Sequence, residues 1–204
     1  MVQAPGTPEH VQRSSQTLVL RPSLQRVDEV LRPTRAEVDL EAIARNLLVV
    51  RAGLGQGSGV LAVVKADAYG HGMVLVARRL EREGIEGFGV ALAEEGLELR
   101  RQGIESEILV LNGVYGSAHA EVLRARLTPV IYDRAQLEAF ARVSLGQPFG
   151  VHLKVDTGMS RLGVPLSELE PFLQGLADFP AVRIEGLRLA HSKRLFSQLR
   201  SGPG

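Results

Sequence analysis

Val60-Leu61-Ala62-Val63-Val64-Lys65-Ala66-Asp67-Ala68-Tyr69-Gly70-His71-Gly72 is the stretch whose reading decides the fold. The apolar residues before Lys65 run without a polar interruption, which suits a strand covered on both faces, as in a parallel sheet. Lys65 ends the run, and the glycine-containing loop behind it leaves room for a ligand to approach the backbone. A lysine at a strand end ordinarily lays its stem on the core and puts its ammonium in water. One delivered to a sheet edge beside such a loop can instead be desolvated and made nucleophilic.

Outward from this stretch, the chain of 204 residues, 45% hydrophobic, is long enough for one sizeable core and reads as a globular protein. Its 24 basic and 23 acidic residues are spread along the chain, so no electrostatic footprint points to nucleic acid or to an anionic membrane. Small-molecule chemistry fits better. The absence of cysteine excludes disulfides and thiolate chemistry, and no His-Glu-x-x-His or similar spacing suggests a metal. Apolar runs fall far short of the roughly 18 residues that a membrane span needs, and Leu18-Val19-Leu20 is too short for a secretory signal, so a cytoplasmic protein is expected. Residues 1–33, with Pro5, Pro8, Pro22 and Pro33 and no sustained period, read as a mobile leader with at most a helical turn at Val27 to Leu31.

From residue 34 the pattern sharpens into a short strand at Arg35 to Asp39 and a helix with Ile43, Leu47, Val50 and Leu54 on one face, capped by Asp39. The glycines of 53–59 precede a strand instead of following one, so they form a helix-to-strand connection and not a phosphate loop. Met73, Val76, Ala77 and Leu80 mark the next helix face, closed by Gly84. Strands are predicted from residues near 60, 87, 108, 129, 151 and 183, with helices near 94–102, 118–124, 135–143 and 167–176, the last with Ser167 and Glu170 at capping-box spacing. That is the rhythm of βα units in a parallel sheet. A doubly wound sheet satisfies it, but would place a glycine fingerprint after its first strand; chemistry at strand C-terminal ends is the habit of a (β/α)8 barrel. An α/β fold of the (β/α)8 TIM-barrel type, incomplete at about six units and occupying 34–204, is the expectation.

The second informative stretch runs from Gly150-Val151-His152-Leu153-Lys154-Val155-Asp156 through Thr157-Gly158-Met159-Ser160-Arg161-Leu162-Gly163. Its period of two sets His152, Lys154 and Asp156 on one face. In an antiparallel sheet that face is simply wet; in a barrel it points inward, where charges need partners. Lys154 and Arg161 near one site repel, which depresses the lysine pKa.

Both stretches resemble motifs of alanine racemases. Ala62 to Gly72 is similar to the pyridoxal-phosphate lysine motif of that family, Lys154 to Gly163 to its Lys-x-Asp-Thr-Gly-Met-x-Arg-Leu-Gly motif, and Arg32 to Leu47 to its opening, where a tryptophan often stands in place of Arg35. The resemblance implies that Lys65 holds pyridoxal 5'-phosphate as a Schiff base and exchanges the α-proton of alanine on one face. It implies further that Tyr69 contacts the cofactor phosphate and that Arg161 meets the phenolic oxygen and helps hold the substrate carboxylate. Lys154, carbamylated, would orient Arg161. The implied activity is interconversion of L- and D-alanine for cell-wall precursors, in homodimers. Another barrel enzyme using this cofactor, such as a decarboxylase or a broader racemase, and a non-catalytic pyridoxal-phosphate carrier are the alternatives. His71 reads as a loop-packing residue and His152 as a satisfied inward histidine.

The resemblance runs from about Arg32 to Leu187 and covers only the front part of a typical racemase. Beyond it Arg188-Leu189-Ala190 puts His191 one residue later than the family histidine, and the rest of 188–204 fits no family pattern. A truncated or frame-shifted coding sequence is the expectation. The family's opposite base is a tyrosine from a partner subunit's C-terminal β-domain, so this chain alone is expected to racemise alanine poorly.

Overall fold

The computed structural model describes Leu18–Val19 and residues 36–190. The turn expected at Val27 to Leu31, Arg35 and His191 lie outside the described residues, as does most of the leader. Strands β1 (Leu18–Val19) and β2 (Glu37–Val38) form a small antiparallel ladder of their own. Helix α1 (Leu40–Ala52) begins at Asp39, whose Oδ1 accepts the N–H groups of Glu41 and Ala42 at 2.9 and 3.0 Å, the expected cap. Its inner face is Leu40, Ile43, Ala44 and Leu47. Val50 and Leu54, expected on that face, are exposed. After Leu47 the inward direction falls on Arg51, whose guanidinium donates to the carbonyls of Glu83 and Gly84 and to Glu86, so the last turn is anchored by a cation and not by valine.

The main sheet follows. It comprises β3 (Leu61–Val63), β4 (Gly87–Val90), β5 (Glu107–Val110), β6 (Thr128–Ile131), β7 (Phe149–Asp156), β8 (Val164–Pro165) and β9 (Val182–Ala190), all paired in parallel. The spatial order is β3-β4-β5-β6-β7-β9, with β8 a short addition at the end of β7. Sequential order without reversal, joined by right-handed crossovers, keeps every helix on the same face. There is no switch point, so the doubly wound alternative falls, and the fold is part of a (β/α)8-type barrel. Among the described residues β3 and β9 are its edges.

Between the strands lie α2 (Lys65–Gly70), α3 (Met73–Arg82), α4 (Ala93–Arg101), α5 (His119–Arg124), α6 (Arg134–Ser144) and α7 (Leu169–Gly175). Phe88, Val90, Ile108, Val110, Ile131, Val151, Leu153 and Val155 point outward beneath this helical layer and are buried with Val76, Leu80, Leu99, Val122, Leu137 and Phe140. On the inner face Leu109 and Val130 are fully enclosed, and Gly89 leaves space for the side chains of Leu61 and Leu111, which a Cβ would approach to 3.0 Å. The capping box expected at Ser167 and Glu170 does not form. Residues Leu166–Glu168 are a 3-10 turn, and Pro171 sits in the first turn of α7, where its missing N–H costs nothing, so the helix starts at Leu169.

One irregularity matters for the site. Val151 pairs with Ile184 but His152 pairs with Gly186, so Glu185 is an extra residue in β9. The bulge shifts all later side chains of β9 by one position, turning Arg188 toward the barrel interior beside Lys154 and leaving Leu187 on the outer face, exposed. No helix among the described residues is long and apolar enough to cross a membrane. Phe88 is fully buried where β4 meets the helices; Phe88→Ala is expected to lower the unfolding free energy by about 3–5 kcal/mol, measured by urea denaturation.

Candidate active site

Parallel pairing sets the C-terminal ends of β3, β5, β7 and β9 on one rim, and a cavity of about 220 Å³ opens there. Lys65, Lys154, Arg161 and Arg188 line it, with Asn112 and an apolar wall that includes Leu111, Val130 and Met159. Lys65, Lys154 and Arg161, singled out in two separate stretches of sequence, are thus brought together. A larger cavity of about 370 Å³ lies between α6 and α7, but its Arg134 is already paired with Glu138 and Asp178, and none of the residues singled out by the sequence lines it.

Lys65 follows β3 after one residue, Val64, and opens α2, in which Ala66, Asp67, Ala68 and Tyr69 all take left-handed values, φ from 51 to 55°. Each such residue costs roughly 1–2 kcal/mol in an L-amino-acid chain, so this turn needs support. Part comes from within. Ala68 N–H donates to Val64 O at 2.8 Å, Asp67 Oδ1 accepts the Met73 N–H at 2.7 Å, and His71 Nδ1 lies 2.8 Å from Ala68 O, the packing part expected of His71. The rest comes from α4. One oxygen of Glu95 accepts the Ala66 N–H at 2.6 Å, while the other accepts those of Ala91 and Leu92 at 2.8 and 3.2 Å. A single carboxylate therefore ties the peptide after Lys65 to the loop after β4. Reading the sequence missed Glu95; its place three residues after the cap of α4 was the available signal.

Tyr69 stacks its ring beneath Lys65, with Nζ 5.9 Å from the centroid, but is exposed and does not line the cavity. On the β7 side, Asp156 Oδ1 accepts the N–H groups of Gly158, Met159 and Ser160 at 2.9, 2.9 and 3.0 Å, and those donors, Ser160 first, hold its carboxyl below the ordinary range. That turn carries Arg161. Gly163 closes it at φ 137°, where a Cβ would lie 2.5 Å from the Asp156 nitrogen. Tyr132 and Tyr115 both donate to the Asn112 carbonyl, at 3.0 and 2.9 Å, which fixes the loop after β5; burial, then Tyr115, pushes the Tyr132 pKa up to about 12.

Burial lowers the pKa of Lys154, and Arg161, Arg188 and Lys65 lower it further against the opposing pull of Asp156. His152 faces inward as expected, its Nε2 3.7 Å from Glu107 and one step along the strand from the cavity, but its buried Nδ1 has no hydrogen-bond partner, so it is not the satisfied histidine expected. Among the described residues no group of three or more His, Cys, Asp or Glu could hold a metal.

Residues 38–191 match the family model for the alanine racemase N-terminal domain. The chain belongs to the alanine racemase family. It is 48% identical over 165 residues to the alanine racemase of Sorangium cellulosum (strain So ce56), covering 77% of this chain and 44% of that protein. Against the alanine racemase of Haemophilus influenzae (strain ATCC 51907 / DSM 11121 / KW20 / Rd) it is 40% identical over 154 residues, 75% of this chain and 42% of that one. Among solved structures, the Bacillus anthracis alanine racemase with bound L-Ala-P superposes with a TM-score of 0.71 at 27% identity, over 80% of this chain and 44% of that one. The biosynthetic alanine racemase of Pseudomonas aeruginosa gives 0.67 at 34%, over 80% and 48%. The chain spans less than half the length of each of these relatives.

Within this alanine racemase domain the use of lysine is selective. The sequence holds three lysines against twenty-one arginines, and two of the three line one cavity. Arginine stays charged in proteins whereas a desolvated lysine can lose its proton, the direction in which burial moves Lys154.

Glu95→Ala leaves three N–H groups without their acceptor; it is expected to cost about 1–3 kcal/mol in urea denaturation and to loosen the Lys65 loop, seen as faster hydrogen exchange at Ala66. Lys154 yields a pH signature. Its pKa is lower folded than unfolded, so between the lowered value and the ordinary 10.5 the unfolded chain holds a proton that the folded chain has released. Stability from this group therefore rises with pH through that window, and at lower pH the buried charge is a cost. In bicarbonate-free buffer Lys154→Met should raise the urea midpoint near neutral pH, with the gain shrinking as pH approaches 10.5.

Proposed function

We propose that this chain provides the pyridoxal-phosphate-binding barrel of an alanine racemase, and that its substrate is alanine. The observation that carries the reading is the convergence of Lys65, Lys154 and Arg161 on one cavity at the rim of a parallel barrel. The donor set suits the cofactor, since the Lys65 amine stands beside several cations in a cavity of about 220 Å³, with room for a phosphorylated ring. Lys65 would hold the group covalently and Arg161 would face its phenolic oxygen; Tyr69, beside Lys65 but exposed and outside the cavity, would contact the phosphate only where that group reaches past the lining. When bound, pyridoxal phosphate delocalises the electron pair left at the substrate α-carbon.

The remaining work falls to side chains of the chain. Arg161 offers a planar fork, always charged, for the substrate carboxylate. A lowered pKa makes the neutral amine of Lys154 more available to carbon dioxide; its addition at the nitrogen releases a proton to solvent and leaves a carbamate, an anion that would orient Arg161. Lys65, which lines the cavity, would take and return the α-proton on one face. Racemisation also needs a proton on the opposite face, and in this family that base comes from the C-terminal domain of a partner subunit. A homodimer is the corresponding assembly.

Purified chain mixed with pyridoxal phosphate and borohydride should carry the label on Lys65, read by peptide mass spectrometry among the three lysines of the sequence. Labels spread over Lys193 and the N-terminus would sink the assignment. With the cofactor bound, one enantiomer of alanine should exchange its α-proton for solvent deuterium faster than the enantiomers interconvert. Label at Lys65 with no exchange at all would fit the carrier alternative.

A further inference from the structure

Asn112 lines the cavity, and the reading above leaves it without a task. It follows β5 by one residue, on the strand midway in the sheet order between the one that delivers Lys65 and the one that carries Lys154. Its loop is pinned from two sides. Tyr115 and Tyr132 both donate to the Asn112 backbone carbonyl, at 2.9 and 3.0 Å, and Gly113 behind it, at φ 84°, is packed so closely that a Cβ would lie 2.7 Å from Gln136 Oε1. The carbonyl is thereby used up, whereas the side-chain amide of Asn112 makes no hydrogen bond to the described residues.

Lysine and arginine side chains donate hydrogen bonds and accept none when charged. The other polar residues of the lining are Lys65, Lys154, Arg161 and Arg188, so Oδ1 of Asn112 is the one side-chain oxygen that the described lining offers as an acceptor. The occupants proposed above make that oxygen matter. The phosphate and phenolic oxygens of pyridoxal phosphate and the carboxylate of alanine all accept, and the cations answer them; a carbamate at Lys154 is committed to Arg161. The amino group of alanine is different, because its N–H groups donate and it enters a space walled by positive charge. With alanine as the ligand, a step that rests on the reading given above, we propose that Asn112 is a positioning residue for the substrate amine: its Oδ1 accepts an N–H of the amino group and fixes where that nitrogen sits while Arg161 holds the carboxylate. A neutral amide suits the task, since a carboxylate at this position would be drawn into an ion pair with the neighbouring cations and lost as an acceptor.

The test is a ligand-observed NMR titration of the purified full chain near neutral pH with alanine and with propionate, which shares the carboxylate and lacks the amine. Alanine should bind at least as tightly as propionate in spite of the cations, and Asn112→Leu should weaken alanine about tenfold while leaving propionate within about twofold, the scale set by one charge-assisted hydrogen bond. Alanine that is already far weaker than propionate in the unaltered chain, or that does not bind at all, overturns the contact. So does a loss in Asn112→Leu that falls equally on both acids, which is what a displaced loop gives, or on neither. Should Asn112→Leu fail to fold by circular dichroism, Asn112→Ala decides: it removes the amide without adding bulk, so alanine should weaken by the same factor against propionate, and an unchanged ratio overturns the contact. Borohydride trapping of pyridoxal phosphate at Lys65 in separate samples tests the cofactor reading by itself. Failed trapping with Asn112-dependent alanine binding intact removes the cofactor assignment alone and leaves the amine contact standing.

Discussion

Parallel pairing is the constraint on which the rest of this structure depends. A parallel strand pair cannot be joined by a tight turn, so each connection crosses back as a helix, and each strand ends at the same rim. In the order β3-β4-β5-β6-β7-β9 the crossovers all cover the outer face, where Phe88, Ile108, Leu153 and their neighbours are buried. The inner face is closed lower down by Leu109 and Val130. What remains open is the rim, and residues as far apart in sequence as Lys65, Arg161 and Arg188 meet there. Their proximity follows from topology and not from any attraction between them, since all are cations.

The rim is held in conformations that the chain would not choose by itself. Four consecutive left-handed residues follow Lys65, and a crowded glycine closes the turn that carries Arg161. Two carboxylates take up this cost by accepting backbone N–H groups: Glu95 across two loops, and Asp156 within one. Both acids are thereby committed to backbone. That commitment explains why neither neutralises the cations beside it, and why burial and neighbouring charge act unopposed on Lys154 apart from the weaker pull of Asp156. The mechanical need of the loops and the electropositive character of the cavity have one origin.

Local pattern determined much of this protein before any coordinates. Six strands begin within two residues of where the βα rhythm puts them, because a buried parallel strand has to be a short apolar run between turn residues. The alternation in β7 correctly separates Val151, Leu153 and Val155 from His152, Lys154 and Asp156, since period two is a property of the extended backbone alone. Lys65, Lys154 and Arg161 were recognisable from contiguous motifs.

Tertiary structure decided what depends on a partner distant in sequence. Val50 lost its place in the core to Arg51 because the carbonyls of Glu83 and Gly84 wait opposite that position. Ser167 failed as a cap because Pro171 shifts the helix start. Glu95 looked like an ordinary acid in the first turn of α4, and only the fold brings the N–H of Ala66 to it. Arg188 is the clearest case. An alternating strand such as β9 has two faces but no label saying which is inner, and a single extra residue at Glu185 exchanges them from Gly186 onward, so only the register against β7 puts this arginine in the cavity and leaves Leu187 outside.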